Sequence, residues 1–205
     1  GPGVMAKTSV AAFMAVCPDI DTLKVKGRGQ KSLDSFLAWV KEAFPKITNV
    51  KVVDTLEDVV RDADIVTYCN SGETGDISSY PVVKREWVKA GAFISMPAYC
   101  RFDEALETQD VRKVMDNIGL YEAWHEEVPK PAHMYIPIIG CRFMDMIDEG
   151  LMTKAQLEDL GSIVTGEKPG RKNNEEIIVL SVGGLPTEDV AWATKVYRKA
   201  IEKNI

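Results

Sequence analysis

The hydrophobic and polar positions in the first third of the chain alternate between a helical period and a strand period. Apolar residues recur at helical spacing from Val4 to Val16 and from Ser32 to Phe44, and a proline lies just beyond each run. The short segments between the helices are apolar or alternate apolar with polar residues, as strands do. We therefore predict helices at 4–16, 32–44 and 56–61 and strands at 22–26, 50–53 and 64–69.

Helices that alternate with short strands are typical of an α/β fold, in which crossover helices connect the strands of a parallel sheet. Because the first predicted element is a helix, we expect a Rossmann-type doubly wound parallel sheet that lacks its first strand. The later part of the chain predicts short helices at 81–88, 120–127 and 152–160, strands at 92–96, 113–117 and 176–181, a proline-rich loop at 127–141 and a last helix at 187–202.

Residues 1–6, GPGVMA, have the G-x-G-x-x-A spacing of a dinucleotide-binding turn. In such a turn Gly1 permits the tight bend, Gly3 lets the backbone approach a pyrophosphate, and Ala6 is small enough for helix and sheet to pack closely. The helix that follows offers unpaired N–H groups and the positive end of its dipole to the phosphates. A purification-tag remnant would also begin with Gly-Pro, so the motif gains its weight from the α/β pattern around it.

The segment after the strand at 22–26 bears on the choice of cofactor. NAD sites usually place an acidic residue here against the ribose hydroxyls, but this segment contains Arg28, Lys31 and Ser32 and no acid. A guanidinium can hold phosphate oxygens in a bidentate fork, so the segment favours NADP(H), with NAD(H) as the alternative. A solvated basic turn would have the same composition.

Composition and charge exclude several classes of partner. The 205 residues carry a formal net charge of −6 and no long basic run, so we expect no nucleic-acid partner. Since no apolar stretch reaches the length of a membrane span, we expect no membrane association. The four cysteines lack CxxC spacing and the two histidines lack a ligand pattern, which predicts no metal site and a reducing, cytoplasmic location.

An ordered set of short motifs runs along the chain. They are DIV at 64–66, PVV at 81–83, GAF at 91–93, VTG at 164–166, GR at 170–171, EIIVLSVG at 176–183, EDVA at 188–191 and VYRKA at 196–200. In this order and spacing the sequence resembles the ornithine cyclodeaminase/mu-crystallin family over essentially its whole length. The resemblance implies that residues 1–205 form a dinucleotide-binding Rossmann domain with a C-terminal helix. It also implies that a second domain, which binds substrate and makes a homodimer, lies outside this chain.

The resemblance further implies positions for the site residues. It assigns cofactor contacts to Val4, Met5, Cys69, Asn70, Ser71, Ser95, Met96, Pro97 and Ser181, and substrate contacts to Val182 and Gly183. An ordinary strand-to-helix turn would also account for residues 181–184. Tyr99 and Arg101 follow a predicted strand at its ligand-binding end and are the candidate catalytic residues, although the same residue types in a loop often serve only surface packing.

Three activities remain open. The first is an NAD(P)H-dependent oxidoreductase that acts on a C–N bond of a small amino acid, imine or keto acid, either as an imine or ketimine reductase or as an amino-acid dehydrogenase. The second is an ornithine cyclodeaminase, but where those enzymes place an aspartate this chain has Pro97, which carries no titratable group. The third is a non-catalytic NADPH-binding protein of the crystallin type. We favour the first, and expect no catalysis by residues 1–205 alone.

Overall fold

The computed structural model describes residues 1–72, 76–108 and 111–204. The helices are α1 (Val4–Val16), α2 (Gln30–Ala43), α3 (Leu56–Val60), α4 (Glu104–Thr108), α5 (Ile118–Glu127), α6 (Ile139–Asp148), α7 (Leu160–Val164) and α8 (Pro186–Glu202). The strands are β1 (Thr22–Val25), β2 (Asn49–Val52), β3 (Ile65–Thr67), β4 (Val82–Val83), β5 (Phe93–Met96), β6 (Arg101–Phe102), β7 (Arg112–Met115), β8 (Leu157–Asp159) and β9 (Ile178–Ser181).

Within the described residues, every pair of neighbouring strands is parallel. The main sheet has the strand order β3-β5-β9-β7-β8, while β1 pairs with β2 and β4 pairs with β6. In the main sheet Val179 lies between Ile94 on one side and Lys113 on the other. The predicted α/β fold with a parallel sheet is confirmed. No helix of the described part is long and apolar enough to cross a membrane.

Two hydrophobic cores hold these elements together. The smaller core joins α1, α2, β1 and β2 through Ala6, Val10, Met14, Val25, Leu33, Phe36, Val40 and Ile47. The larger core surrounds the main sheet and contains fully buried residues such as Ile94, Phe143 and Val179. The start of α1 therefore rests on the smaller core, whereas the ends of β3, β5 and β9 rest on the larger one.

A groove of about 220 Å³ separates β1 from β3. Its lining includes Leu23 of β1, Val66 of β3 and Val10 of α1, so it is largely apolar. In the described part of the chain, β1 pairs only with β2 and β3 only with β5, so one edge of each strand faces the groove without a partner. In a doubly wound sheet the first strand lies between the second and the fourth, which is the place of this groove.

The helix predicted at 81–88 is wrong. Val82 and Val83 form strand β4 beside β6, and only Arg85–Trp87 make a 3₁₀ turn. The carbonyl oxygens of Pro81 and Val83 accept hydrogen bonds at 2.9 Å from the N–H groups of Arg101 and Asp103, and the two β-branched valines fit the extended backbone of a strand.

The helix predicted at 152–160 is also wrong. Thr153 caps only a single 3₁₀ turn, closed by its backbone N–H, which donates to Oε1 of Gln156 at 2.8 Å. The next residues form β8 on the edge of the main sheet, where Glu158 pairs with Arg112 of β7 at 2.8 Å. The partner strand decides this conformation, because pairing with β7 buries Leu157 and satisfies the Arg112 guanidinium.

The predicted loop at 127–141 ends earlier than expected, because α6 begins at Ile139. Ile139, Phe143 and Met146 are fully buried and lie at helical spacing. The apolar period of α6 was therefore present in the sequence, directly after the proline-rich segment that obscured it.

Candidate functional site

The glycine turn leads directly into α1. Gly3 is the extended N-cap of the helix, with φ −90° and no side-chain cap, so the first N–H groups of α1 remain available to a ligand. A Cβ on Gly1 would lie 2.4 Å from the carbonyl oxygen of Cys69, whereas a Cβ on Gly3 would meet no atom within 4 Å. Ala6 is buried in the smaller core. Residue 1 must therefore be a glycine to pack against Cys69. Gly3, by contrast, faces open space in front of the helix.

A cleft of about 710 Å³ opens between this turn and the ends of β1 and β3. This volume is within the range of small-molecule and cofactor sites. The predicted site residues in its lining are Gly1, Gly3, Ala6, Arg28, Ser32, Cys69, Asn70, Ser71 and Arg101. The predicted residues that do not line it are Val4, Met5, Lys31, Ser95, Met96, Pro97, Tyr99, Ser181, Val182 and Gly183.

Arg28 lies at one end of the cleft. Its Nη2 donates a hydrogen bond to the carbonyl oxygen of Ser71 at 3.4 Å, which links the segment after β1 to the segment after β3. Gly29 is the N-cap of α2 and has no capping side chain, and the nearby Ser32 lines the cleft. A cation and free helix N–H groups therefore lie together where the sequence predicts a phosphate.

The opposite wall is built by residues after β3 and by β6. Asn70 donates from Nδ2 to the carbonyl oxygen of Tyr99 at 3.1 Å, while its buried Oδ1 finds no hydrogen-bond partner in the described structure. Arg101 donates from Nε to the carbonyl oxygen of Tyr80 at 3.0 Å and from Nη2 to that of Ser78 at 3.4 Å. The acceptor of Asn70 is therefore an unsatisfied polar atom on the cleft wall.

Tyr99 is only 3% exposed and packs inside the protein. Its ring lies edge-on to Tyr80, with 5.1 Å between the ring centroids, and 6.2 Å from the ring of His133. Burial raises the pKa of Tyr99 well above its ordinary value, so the phenol stays protonated at neutral pH. Tyr99 therefore supports the wall through its backbone carbonyl and its ring, and its side chain does not line the cleft.

The ends of β5 and β9 lie beside the end of β3 in the sheet and do not line the cleft. Met96 and Ser181 are fully buried, and the backbone N–H of Val182 donates to the carbonyl oxygen of Met96 at 3.3 Å. The Ser181 hydroxyl donates to the Tyr121 oxygen at 2.9 Å and accepts from the Gly140 N–H at 3.0 Å. Its hydrogen bonds are therefore made inside the protein, although the sequence pattern assigned this residue to the cofactor.

Two residues of this region, Asp116 and Tyr121, were missed by the sequence analysis, and the structure gives Gly27, which precedes Arg28, a packing role. A Cβ on Gly27 would lie 2.6 Å from Cδ of Pro2, so a side chain there would displace the glycine turn. Asp116 and Tyr121 make hydrogen bonds around the end of β9. The one sequence signal was the place of Asp116 at a predicted strand end. The described residues contain no group of three or more His, Cys, Asp or Glu side chains arranged to hold a metal ion.

Comparison of the whole sequence with known protein families identifies the family of this chain. The model of the ornithine cyclodeaminase/mu-crystallin family matches residues 1–204. The chain belongs to the ornithine cyclodeaminase/mu-crystallin family. Membership confirms the resemblance inferred from the motifs along the chain, and it places the cleft in a family that includes reductases and dehydrogenases.

Individual relatives are distant. The chain is 21% identical to N-((2S)-2-amino-2-carboxyethyl)-L-glutamate dehydrogenase of Staphylococcus aureus, with all of this chain and 55% of the relative covered. It is similar to the structure of Thermococcus litoralis Δ1-pyrroline-2-carboxylate reductase in complex with NADH and L-proline, with a TM-score of 0.75, 25% identity and 58% of that chain covered. An archaeal alanine dehydrogenase dimer with bound NAD gives a TM-score of 0.72 at 23% identity, with 57% of that chain covered. All of this chain aligns with both structures, so it spans little more than half the length of each relative.

Proposed function

We propose that the full-length protein is an NAD(P)(H)-dependent oxidoreductase that acts on a C–N bond, either by reducing an imine or by oxidising an amino acid. The observation that carries the proposal is the cleft of about 710 Å³ under the glycine turn, at the carboxyl ends of parallel strands, in a chain of this family. The similar proteins named as reductases or dehydrogenases of amino acids and cyclic imines support the same reaction class.

The residues of the cleft fit a dinucleotide. The free N–H groups at the start of α1 suit the pyrophosphate, and the empty volume beside Gly3 leaves room for it. The unpartnered Oδ1 of Asn70 can accept a hydrogen bond from a ligand on the opposite wall. When bound, the cofactor would supply or accept the hydride, while this chain binds and orients it.

Oxidoreduction is favoured over ornithine cyclodeamination by the residues after β5. The resemblance implies that Pro97 stands where ornithine cyclodeaminases have an aspartate, and a proline side chain offers no proton. The nearby Asp103 is already used as a cap, since its carboxylate accepts from the N–H of Leu106 at 2.9 Å and from that of Arg85 at 3.1 Å. It is therefore not free to replace the missing aspartate.

The reaction class is tested with the full-length protein, NADPH or NADH, and a set of cyclic imino acids that includes Δ1-pyrroline-2-carboxylate. We expect the absorbance of the reduced cofactor to fall only when an imine is present. The second arm contains the oxidised cofactor with L-ornithine or with other L-amino acids, and we expect L-ornithine to yield no proline and no ammonia. Proline formation from ornithine, or no turnover with any imine or amino acid, would refute the proposal.

The preference for NADP(H) is a further part of the proposal and depends on Arg28. Replacing Arg28 with alanine removes the cation that would hold the 2′-phosphate, so the affinity for NADPH should fall about tenfold, while the affinity for NADH stays the same. Titrations of both cofactors, followed by their fluorescence, measure the effect. Lys41→Ala removes an exposed cation at the other end of α2 and serves as the control. Equal affinity of the unmutated protein for both cofactors would contradict this prediction.

We also propose that residues 1–205 form the cofactor-binding domain of a cytoplasmic homodimer with a separate substrate domain. The chain spans 55–58% of the length of the relatives, which leaves room for such a domain. A strand from outside this chain would fill the groove between β1 and β3, because no strand among the described residues pairs with either facing edge. A crystal structure of the full-length protein that shows this groove empty would contradict the assignment.

A further inference from the structure

Asp116 is the residue directly after β7, and its carboxylate accepts four hydrogen bonds. Oδ2 accepts from the backbone N–H groups of Gly183 at 2.8 Å and Gly184 at 2.9 Å. Oδ1 accepts from the hydroxyl of Tyr121 at 2.7 Å and from the N–H of Asn117 at 3.1 Å. Four donors that converge on the two oxygens match the acceptor capacity of an ionised carboxylate.

Tyr121 connects Asp116 to two further hydrogen bonds inside the protein, and the donors of both point toward Asp116. The N–H of Gly140 donates to Oγ of Ser181, and the hydroxyl of Ser181 donates to the oxygen of Tyr121. Burial raises the pKa of Tyr121, so its hydroxyl stays protonated and donates a hydrogen bond to Asp116. Tyr121 and Ser181 are fully buried, so water does not compete for these bonds. Asp116 therefore accepts the last hydrogen bond in the series that runs from Gly140 through Ser181 and Tyr121.

The turn that Asp116 holds allows little variation in sequence. Gly184 has a φ of +86°, in the left-handed region that favours glycine. A Cβ on Gly183 would lie 2.9 Å from the Tyr121 hydroxyl and 3.1 Å from the Trp124 ring. Close packing on α5 and an unusual backbone conformation therefore coincide at the point where the Asp116 carboxylate binds both N–H groups.

The position of this turn relates it to the cleft. β3, β5 and β9 are adjacent and parallel, so their carboxyl ends lie on the same edge of the sheet. Strands are spaced about 4.8 Å apart, which places the end of β9 about 10 Å from the end of β3, where Cys69 and Asn70 line the cleft. A dinucleotide bound under the glycine turn would extend from the cleft across these strand ends, toward the Gly183–Gly184 turn, which lies outside the cleft lining.

We propose that Asp116 is a positioning residue, which holds the Gly183–Gly184 turn in the conformation that receives the nicotinamide half of the cofactor. This inference rests on the proposed function, because it assumes a dinucleotide in the cleft. Asp116 acts through the backbone of the turn and does not itself contact the cofactor. Its loss should therefore affect the nicotinamide end of the site and leave the adenosine end, around Arg28 and Gly29, intact.

Asp116→Asn is the informative substitution because it keeps the shape of the side chain. If the amide NH₂ faces the turn, it meets two N–H donors; if the amide is flipped, it faces the donors from Tyr121 and Asn117. In either orientation at least one side of the network loses its acceptor. Buried donors without a partner cost free energy, so the turn is expected to leave its conformation.

Two ligands separate the two ends of the site in the full-length protein. NADPH reports on the whole site, whereas 2′,5′-ADP occupies only the adenosine end. We expect Asp116→Asn to weaken NADPH binding about tenfold and to leave 2′,5′-ADP binding unchanged. The fluorescence emission of bound NADPH should also shift toward that of free NADPH, because the nicotinamide ring is less enclosed.

Asp159→Asn is a matched control. Asp159 ends β8, the neighbour of β7, and its carboxylate also accepts two backbone N–H bonds, from Gly161 at 2.9 Å and Ile118 at 3.1 Å. This substitution should cost stability in the same way as Asp116→Asn. It does not touch the turn after β9, so both ligands should bind as they do to the unmutated protein.

A second variant keeps the inference testable if the Asp116→Asn protein fails to fold. Gly184→Ala forces a side chain onto a φ of +86° and disturbs the same turn while Asp116 remains in place. We expect the same result, with weaker NADPH binding and unchanged 2′,5′-ADP binding. If NADPH binding is unchanged in both variants, or if both ligands weaken equally, the inference is wrong. If the unmutated protein binds neither NADPH nor NADH, the proposed function itself falls, and the inference with it.

Discussion

Valine in place of Gly3 is expected to lower the affinity of the full-length protein for NADPH about a hundredfold, the upper range for overpacking a close-fitting site. Gly3 lines the cleft, and an added Cβ would meet no protein atom within 4 Å. The side chain therefore has room in the free protein and takes the volume that the pyrophosphate needs in front of α1. The melting temperature without cofactor should stay close to that of the unmutated protein.

Gly170→Val is the matched control for this experiment. A Cβ on Gly170 also meets no atom within 4 Å, its φ is not in the left-handed region, and Gly170 does not line the cleft. NADPH affinity, measured by fluorescence titration, should not change in this variant. Tight NADPH binding by Gly3→Val would show that the cofactor does not pass over the glycine turn.

Replacing Phe36 with alanine is expected to lower the free energy of unfolding by about 3–5 kcal/mol, which is typical of a buried aromatic residue. Phe36 is 2% exposed and lies in the smaller core, between α1, α2 and the β1-β2 pair. Phe36 also lines the cleft, so its removal should also weaken the packing near the glycine turn. Such a cost is a large part of the 5–15 kcal/mol that usually stabilises a domain.

Denaturant unfolding of the full-length protein, monitored by circular dichroism, measures this effect. Glu42→Ala, on an exposed position of the same helix, is the control and should change the free energy of unfolding by less than about 0.5 kcal/mol. If Phe36→Ala unfolds at the same denaturant concentration as the unmutated protein, the smaller core does not contribute to global stability. In that case the β1-β2 pair would unfold separately from the main sheet.

The pair of cores also explains why the cleft lies where it does. The turn at Gly1 and Gly3 leads into α1, whose Ala6 and Val10 belong to the smaller core. The cleft residues from Cys69 to Ser71 follow β3, whose Val66 belongs to the larger core, and Cys69 itself packs against the smaller one. A ligand that contacts both walls would join the two parts. The hydrogen bond from Arg28 to Ser71 already spans this division at 3.4 Å, so a bound cofactor would strengthen a link that exists without it.

Local periodicity was enough to predict the first six elements, from α1 to β3, each to within three residues at its ends. The reason is that each has one apolar face: in α2, for example, Leu33, Phe36 and Val40 are all buried. The glycine motif, the basic segment at Arg28 and the strand end at Cys69 were also recognisable from the sequence, because residue type and position along the chain identify them.

Other features depended on contacts between distant parts of the chain. Leu157–Asp159 became a strand because β7 offered a free edge and Arg112 required a carboxylate, neither of which is visible in a local window. The family pattern assigned Ser181 to the cofactor, yet its hydroxyl is bonded to Tyr121, 60 positions away. The bonds of Asp116 to Gly183 and Gly184 span 67 and 68 positions.

The sequence by itself determined the fold class, the family and the glycine turn, because periodicity and motif spacing are local properties. Only the tertiary structure decided which polar side chains face the cleft and which hold its frame, because hydrogen-bond partners are chosen by distance in space.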